Sequence, residues 1–471
     1  MSSKTHFLLN DQEIETLEHP GMLVLDYLRR QQKLTGTKEG CKEGDCGACT
    51  VLIGEMNDGG VTYKPVTSCL MPMGELQGKH LVTIEGLNMP KLTPVQQAIV
   101  DEGATQCGFC TPAIAVSLTG YLMQDGAKIT SEGIKYALSG HLCRCTGYRS
   151  LKNSEIHLKK SANGKTGIKN LVAQKMLPEY FLQIPSHLKK VTQSLPKNGN
   201  SKASTVFIAG GTDIYIQKGE IIPDSNVNIL NLHPEMNGIS RESGQIRVGA
   251  LTTFEEFANH PEIQTVIPHI RDYMFLIASW QIRNRATLGG NIINASPIGD
   301  MTILLLALGC QLVLKNGKRE RTVPMTSFYK GYKDLAKSPN EVLTQIIIPK
   351  LSKDTKIDWE KVSKRKCLDI ASVNSAIHIQ CDGDILKEVG LAIGGVAPVP
   401  LFMKNTSQYL VDKTISRETV EDAIQVAQGE ISPISDVRGS AEYKRLLVRQ
   451  LVISHFCKLF PERLKVGELI S

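Results

Sequence analysis

The sequence predicts a multidomain α+β protein. Its length, a change of pattern along the chain and a cysteine density confined to one end carry that prediction. At roughly 150 residues per domain, 471 residues make room for about three domains. Short apolar strands and turns fill the first 85 residues, and helical spacing follows to about residue 152. Strand and helix signals then alternate toward a helical C-terminal end. Eight of the 12 cysteines lie before residue 146.

Hydrophobic residues are 41% and charged residues 21%, as in ordinary folded proteins. The net charge of +7 is spread thinly, with no basic stripe interleaved with aromatics, so nucleic acid is not an expected partner. No run of about 18 apolar residues predicts a membrane span. The longest run, Ile303 to Leu308, reads as a buried helix. The start, MSSKTHFLLNDQEIE, lacks a basic stretch followed by an apolar one, so no secretory signal and a cytoplasmic location are expected.

In residues 1–85, HFLLND reads as a strand, and the spacing of Val24, Leu25 and Leu28 predicts a helix over Met22–Arg30. A glycine- and cysteine-rich loop leads into an apolar strand, CTVLIGE. In residues 86–152, Thr93-Pro94-Val95-Gln96 has the form of a helix start: a hydroxyl cap, proline at the first helical position, and Gln three residues after the cap. Thr111-Pro112 reads as a second start, and a third helix runs Ser131–Leu138, closed by Gly140. Residues 153–178 are polar, Lys-rich and free of Phe, Tyr and Trp, which predicts a linker. Gly164-Lys165-Thr166 lies there, but Lys159 stands where a phosphate-binding loop needs its first glycine, so that motif is rejected. Residues 179–350 contain the strands TVFIAG and IRVGAL. Residues 351–471 contain the pair SVNSAIHIQCDGD and ILKEVGLAIGGV, then helix from Glu418 onward.

Cys41, Cys46 and Cys49 form a C-x4-C-x2-C pattern, CKEGDCGAC, and Cys69 follows 20 residues later. This is the plant-type ferredoxin spacing for a [2Fe–2S] cluster. Gly40, Gly44 and Gly47 would let backbone N–H groups approach an anionic cluster. The alternative is structural zinc, which usually shows two C-x2-C pairs. Cys107 and Cys110 (QCGFC) with Cys143 and Cys145 (CRC) form a second group, open to a [2Fe–2S] cluster, zinc or a redox dithiol. Cys110 just precedes a helix start, whose partial positive charge favours thiolates. Cys310, Cys367, Cys381 and Cys457 are scattered and read as buried free thiols. The 11 histidines show no ligand spacing.

Two glycine turns could cradle a diphosphate: FIAGGTDIYIQ (207–217) and RNRATLGGNIINASPIGD (283–300). Neither is a G-x-G-x-x-G, and glycine turns after strands are usually only turns.

With these motifs on the page, the chain resembles the iron–sulfur/FAD part of the xanthine dehydrogenase family of molybdenum hydroxylases. EGCKEGDCGACTV, QCGFCTPA and LCRCTGYR match its iron–sulfur signatures; AGGTD, TLGGNI, ASPIGD and GSAEYKR match its flavoprotein part. The resemblance implies a ferredoxin-like β-grasp domain (1–85), an all-α helical [2Fe–2S] domain (86–152), the linker (153–178), an α+β FAD-binding domain of the CO dehydrogenase flavoprotein type (179–350), and a C-terminal α/β subdomain (351–471). Iron–sulfur and flavin parts share one chain that ends without a molybdenum domain. That implies the small subunit of a two-subunit bacterial xanthine dehydrogenase, in an α2β2 heterotetramer with a large molybdopterin subunit.

The resemblance also implies roles. Cys41, Cys46, Cys49 and Cys69 would hold the cluster nearer the flavin, and Cys107, Cys110, Cys143 and Cys145 the one nearer molybdenum. Gln106 and Cys145 would face the partner's pterin. Phe207, Ile208, Ala209, Gly210, Gly211, Thr212, Asp213 and Ile214 would form the FAD diphosphate loop. Thr287, Gly290, Asn291, Asn294, Ser296 and Asp300 would form a second FAD strip, with Leu343 and Lys361 at the flavin end and Tyr332 beside the nicotinamide. Ile277 stands where relatives often place a Phe against the flavin ring, which leaves the choice between NAD+ and O2 open. No catalytic residue is expected on this chain: electrons from xanthine or hypoxanthine would pass through two clusters to FAD and on to NAD+. Alternatives are the same chain type serving an aldehyde or N-heterocycle hydroxylase, and a non-redox zinc-binding interaction protein.

Overall fold

The structure, a computed structural model, describes residues 4–57, 60–193 and 205–469. The chain divides into two compact units: Met1–Leu232 with Ser279–Arg285, and His233–Ala278 with Ala286–Ser471.

The first unit begins with a five-stranded sheet: β1 (Thr5–Leu9), β2 (Gln12–Thr16), β3 (Thr50–Asn57), β4 (Gly60–Thr67) and β5 (His80–Val82), in the order β2-β1-β5-β3-β4. β1 and β5 run parallel and the other pairs antiparallel. Alternation in HFLLND puts Phe7 and Leu9 into a core with Val24, Tyr27, Leu28, Val51 and Ile53. The expected helix at 22–30 is Val24–Asp26, continuing as a π-helical turn over Tyr27–Gln31.

The all-α part follows. The helix Pro94–Asp101 starts on a complete capping box: Gln96 N–H donates to Thr93 Oγ1 at 3.3 Å, and Thr93 N–H to Gln96 Oε1 at 2.8 Å. Helices Thr111–Leu122 and Ser131–Leu138 also lie where expected. The segment expected as a linker is not one. Arg149–Ala162 and Ile168–Ala173 are helices, and Leu158, Ala162, Leu171, Val172, Met176 and Leu177 join the core of the helical part. Its composition misled because Leu151, Leu158 and Ala162 are few but share one helix face, while the lysines occupy the other. Helix Ile184–Gln193 packs Ile184, Leu188 and Val191 on Leu8. The parallel pair β6 (Val206–Ile208) and β7 (Val227–Ile229) completes the unit.

The second unit holds two antiparallel sheets. β8 (Ile239–Glu242), β9 (Gln245–Gly249), β10 (Gln311–Asn316), β11 (Arg319–Pro324) and β14 (Val342–Ile348) are ordered β11-β10-β14-β9-β8; β12 (Tyr329–Gly331) and β13 (Asp334–Leu335) form a small ribbon. The apolar run is the buried helix Asp300–Ala307, apolar all round and sealed from water as such a helix must be. β15 (Lys356–Val362), β16 (Val373–Asp382), β17 (Ile385–Gly394) and β18 (Leu401–Phe402) form a meander covered by helices Lys404–Leu410, Arg417–Glu430 and Ala441–Leu459. This matches the expected α+β multidomain class. Of the four scattered cysteines, Cys310 and Cys457 are buried as expected, whereas Cys367 and Cys381 are half-buried, because each sits in a loop or at a strand end.

Candidate functional site

The eight cysteines come together as thiol pairs. In the first group, the Cys46 thiol donates to Cys41 and pulls its pKa down to about 5; burial opposes this and the Glu43, Cys46 and Asp45 N–H groups assist. The Cys46 pKa is raised by that same bond and by burial. Cys49 and Cys69 pair likewise, with the Cys49 pKa lowered by the Cys69 thiol and the Cys69 pKa raised. In the second group Cys107 pairs with Cys145, and Cys110 with Cys143. The backbone N–H of Phe109, then Cys145, lowers the Cys107 pKa; burial, then Cys143, pushes Cys110 up to about 12. Among the described residues no three His, Cys, Asp or Glu side chains converge on one point as ligands of a single metal ion. Two pairs, rather than one tetrahedral set, is what a two-iron cluster needs, because each iron takes two protein ligands.

The backbone around these thiols fits an anionic cluster. The N–H groups of Glu43 and Cys46 lie 3.3 Å from Cys41 Sγ, and Cys41 N–H lies 3.4 Å from Cys46 Sγ. Such N–H···S bonds favour the charged thiolate. Gly40 is needed because a Cβ there would meet Cys46 Sγ at 2.7 Å, and Gly47 (φ +70°) because one would meet Gly140 O at 2.2 Å. Each group has a buried pair and a more open one: Cys49 and Cys69 are buried beside half-buried Cys41 and Cys46, and Cys110 and Cys143 are buried beside exposed Cys107 and Cys145. Gln106 donates to Cys145 O at 3.0 Å, and exposed Phe109 and Leu142 lie in the same loops. The two groups are joined through backbone, since Leu142 N–H donates to Cys46 O at 3.1 Å.

The short helix Trp280–Arg283 and its flanks pack on both groups' supports. Gln281 donates to Ser117 Oγ (3.0 Å) and Ala137 O (3.1 Å), and Asn284 donates to Pro65 O (2.9 Å). Arg285, buried, donates to Glu75 (2.9 Å), Leu70 O (3.3 Å) and Gly210 O (2.6 Å). Gly210 belongs to the first glycine turn, which runs from Phe207 and Ile208 on β6 through Ala209, Gly210, Gly211, Thr212 and Asp213 to the helix Ile214–Lys218. Gly211 has φ +77°, a conformation that favours glycine. A narrow turn between strand and helix, with a hydroxyl at Thr212, fits a diphosphate.

The second glycine strip lies in the second unit. Thr287 caps the helix Leu288–Asn294, accepting from Gly290 N–H at 3.0 Å. Asn291 Oδ1 accepts from Thr302 N–H and Oγ1 (3.0 and 2.9 Å), Asn294 accepts from Lys333, and Ser296 Oγ accepts from Ile298 N–H (3.4 Å). Asp300 is bound by Lys361 Nζ (2.7 Å) and Asn374 Nδ2 (2.6 Å), and Lys361 also donates to Leu276 O (3.0 Å), beside buried Ile277. The structure thus gathers Asp300, Lys361 and the chain before Ile277. Leu343 is a buried strand residue opposite Leu314, and Tyr332 stands 67% exposed in the β12–β13 turn, next to Lys333. Sequence reasoning missed Glu75, Arg285, Asn374, Thr302 and Lys333. Arg285 had a signal, a cation inside the quoted glycine strip, and Thr302 and Lys333 lie within two residues of Asp300 and Tyr332; Asn374 is distant in sequence from any motif.

Residues 7–73 match the 2Fe–2S iron–sulfur cluster binding domain, 83–154 the [2Fe–2S] binding domain, 178–351 the FAD binding domain in molybdopterin dehydrogenase, and 360–458 the CO dehydrogenase flavoprotein C-terminal domain. In chain order these are two iron–sulfur domains, an FAD-binding domain and a flavoprotein C-terminal domain. The chain is 29% identical to a xanthine dehydrogenase of Drosophila pseudoobscura pseudoobscura, over 99% of its own length and 40% of that protein. It is 28% identical to aldehyde oxidase 1 of Rattus norvegicus, over 98% of its length and 39% of that protein. It therefore spans about two fifths of these relatives. Among solved structures, a carbon monoxide dehydrogenase from Hydrogenophaga pseudoflava is similar with TM-score 0.52 and 27% identity, covering 56% of this chain and 92% of that one. Quinoline 2-oxidoreductase from Pseudomonas putida 86 is similar with TM-score 0.50 and 25% identity, covering 56% and 91%. No helix among the described residues is long and apolar enough to cross a membrane.

Proposed function

We propose that this chain is the electron-transfer subunit of a xanthine dehydrogenase, passing electrons from a partner molybdopterin subunit through two [2Fe–2S] clusters and FAD to NAD+. The observation that carries the reading is the two-by-two pairing of eight thiols, joined by the Leu142–Cys46 hydrogen bond, in a unit that also holds a glycine turn. When bound, the clusters move electrons singly and the flavin collects two for delivery as a hydride.

The chain's own residues hold and insulate. Cys41, Cys46, Cys49 and Cys69 are the ligands of one cluster, and Cys107, Cys110, Cys143 and Cys145 of the other. N–H groups on Cys41 and Cys46 sulfurs offset negative charge and tune its potential. The turn from Phe207 to Ile214 takes the FAD diphosphate. Thr287, Gly290, Asn291, Asn294, Ser296 and Asp300 line the second FAD strip, with Leu343, Lys361 and Ile277 toward the ring and exposed Tyr332 toward NAD+. The open Cys107–Cys145 edge, with Gln106, faces the partner's pterin. We take the domains as 1–85, 86–152, 179–350 and 351–471, the assembly as α2β2 and the location as the cytoplasm.

A second reading is favoured by the relatives' own diversity: the same chain type serving an aldehyde or an N-heterocycle. The deciding experiment is turnover by the purified complex. Xanthine and hypoxanthine with NAD+ should be used well and aldehydes or quinoline poorly. The reverse preference overturns the xanthine reading, and O2 consumption without NAD+ reduction overturns the acceptor.

A further inference from the structure

We infer that Arg285 is a positioning residue: its guanidinium clamps the glycine turn at 207–214 to the chain beside Cys69, and so fixes the turn proposed for the FAD diphosphate against the first cluster's ligand loop. The inference rests on the electron-transfer reading above and adds to it the residue that holds the two cofactor sites in register.

Three observations carry it. Arg285 is 3% exposed, and one nitrogen of its guanidinium reaches three acceptors: Gly210 O in the turn (2.6 Å), Leu70 O (3.3 Å) and Glu75 Oε2 (2.9 Å). Leu70 immediately follows Cys69, so the same cation touches the chain next to a thiol ligand and the loop proposed for the FAD diphosphate. Independently, Gly211 presses on the same carbonyl, since a Cβ there would lie 2.4 Å from Leu70 O at φ +77°. Just past the turn, Tyr215 Oη donates to Gly21 O at 2.8 Å, a second tie to the ferredoxin-like sheet's connecting chain.

The charge of Arg285 is consumed by protein, which separates a clamp from a phosphate ligand. Glu75 is 6% exposed and neutralises it; Lys79 lies 3.7 Å from Glu75 and 2.5 Å from Glu55, so charges alternate away from the turn. All three acceptors meet one nitrogen, Nη2, while Nε is buried without a hydrogen-bond partner, so the clamp is made by the Nη2 end of the side chain alone. Loosening such a clamp frees the turn to move against the Cys69 loop, which is felt in FAD binding and in the first cluster's surroundings.

The test uses the purified complete complex, depleted of flavin and titrated with FAD, and compares wild type, R285K, R285M and the double variant R285M/E75Q, which removes the buried carboxylate as well. Iron content and the electron paramagnetic resonance signals of both reduced clusters report integrity. Expected are full iron, an unchanged second-cluster signal, a shifted first-cluster signal and an FAD Kd raised at least about tenfold in R285M and in the double variant, partly rescued in R285K. A wild-type FAD Kd with a wild-type first-cluster signal in R285M or in the double variant would overturn the inference. So would loss of the second-cluster signal in R285K, which would make Arg285 a general structural residue. If wild type itself binds neither iron nor FAD, it is the electron-transfer reading that fails.

Discussion

Lys361 and Asp300 form a buried ion pair, Nζ to Oδ2 at 2.7 Å, with the lysine side chain 1% exposed. It joins the start of the apolar helix Asp300–Ala307 to β15, and Asn374 on β16 completes the carboxylate's shell at 2.6 Å. Removing one partner of such a pair strands the other charge. K361M should therefore cost about 3–5 kcal/mol. The double variant K361M/D300N, which removes the stranded carboxylate charge as well, should cost less. Denaturant midpoints of the intact complex measure both; a K361M change below about 0.5 kcal/mol would show that the pair does not hold the strip.

The thiol pairing predicts separable losses. C49S should abolish the first cluster and leave the second, and C110S the reverse, each taking about four irons per chain to about two. Metal analysis with paramagnetic resonance after reduction checks this. Equal loss of both signals from either variant would mean that the two groups form one site.

Acid should weaken the first unit through His80. Burial lowers its pKa to about 4. The Tyr63 hydroxyl donates to Nδ1 at 2.6 Å and Nε2–H donates to Asn10 O at 2.7 Å, a pattern only the neutral ring satisfies. The unfolded chain binds the proton first, near pH 6.5, so stability falls as pH drops from there toward 4. At pH 5 the loss is about 2 kcal/mol. H80N should flatten this slope in melts recorded between pH 7 and 5; an unchanged slope would assign it elsewhere.

Tyr332 is 67% exposed, so removing it should spare the fold. If it stacks beside the nicotinamide, Y332A should raise KM for NAD+ about 2- to 12-fold with kcat nearly kept, equivalent to about 0.5–1.5 kcal/mol of aromatic contact. Steady-state kinetics with NAD+ varied decide it, and an unchanged KM removes Tyr332 from the acceptor site.

Leu158 tests the helices that stand in place of a linker. It is fully buried on Arg149–Ala162, so L158A should cost about 2–5 kcal/mol, whereas K160A on the exposed face should cost almost nothing. Equal, small effects would restore the linker reading.

Much of this protein was legible in its residues. The spacing of Cys41, Cys46 and Cys49 with Cys69 announces one cluster because a metal centre demands particular side chains at particular intervals, the second is implied by the family resemblance, and the Thr93 and Ser131 helices follow from capping rules that act within one turn. Local chemistry of this kind survives in a one-dimensional string. The stretch 153–178 was misread because composition averages over both faces of a helix, while burial depends on one.

Other features required the folded chain. The string shows four thiols and four more, but which thiol partners which is a matter of approach in space. Arg285 meets Glu75 across 210 positions and Gly210 across 75, and Asn374 meets Asp300 across 74. Contacts of that range carry no periodic signal, because they are fixed by how sheets and helices pack rather than by neighbouring residues. Residue type and spacing thus settled the first cluster's ligand set, and whole motifs carried the resemblance that implies the second cluster and FAD. Tertiary packing settled how their loops are pinned, since only long-range burial can leave one guanidinium as the shared partner of a cluster-side carbonyl and a glycine turn.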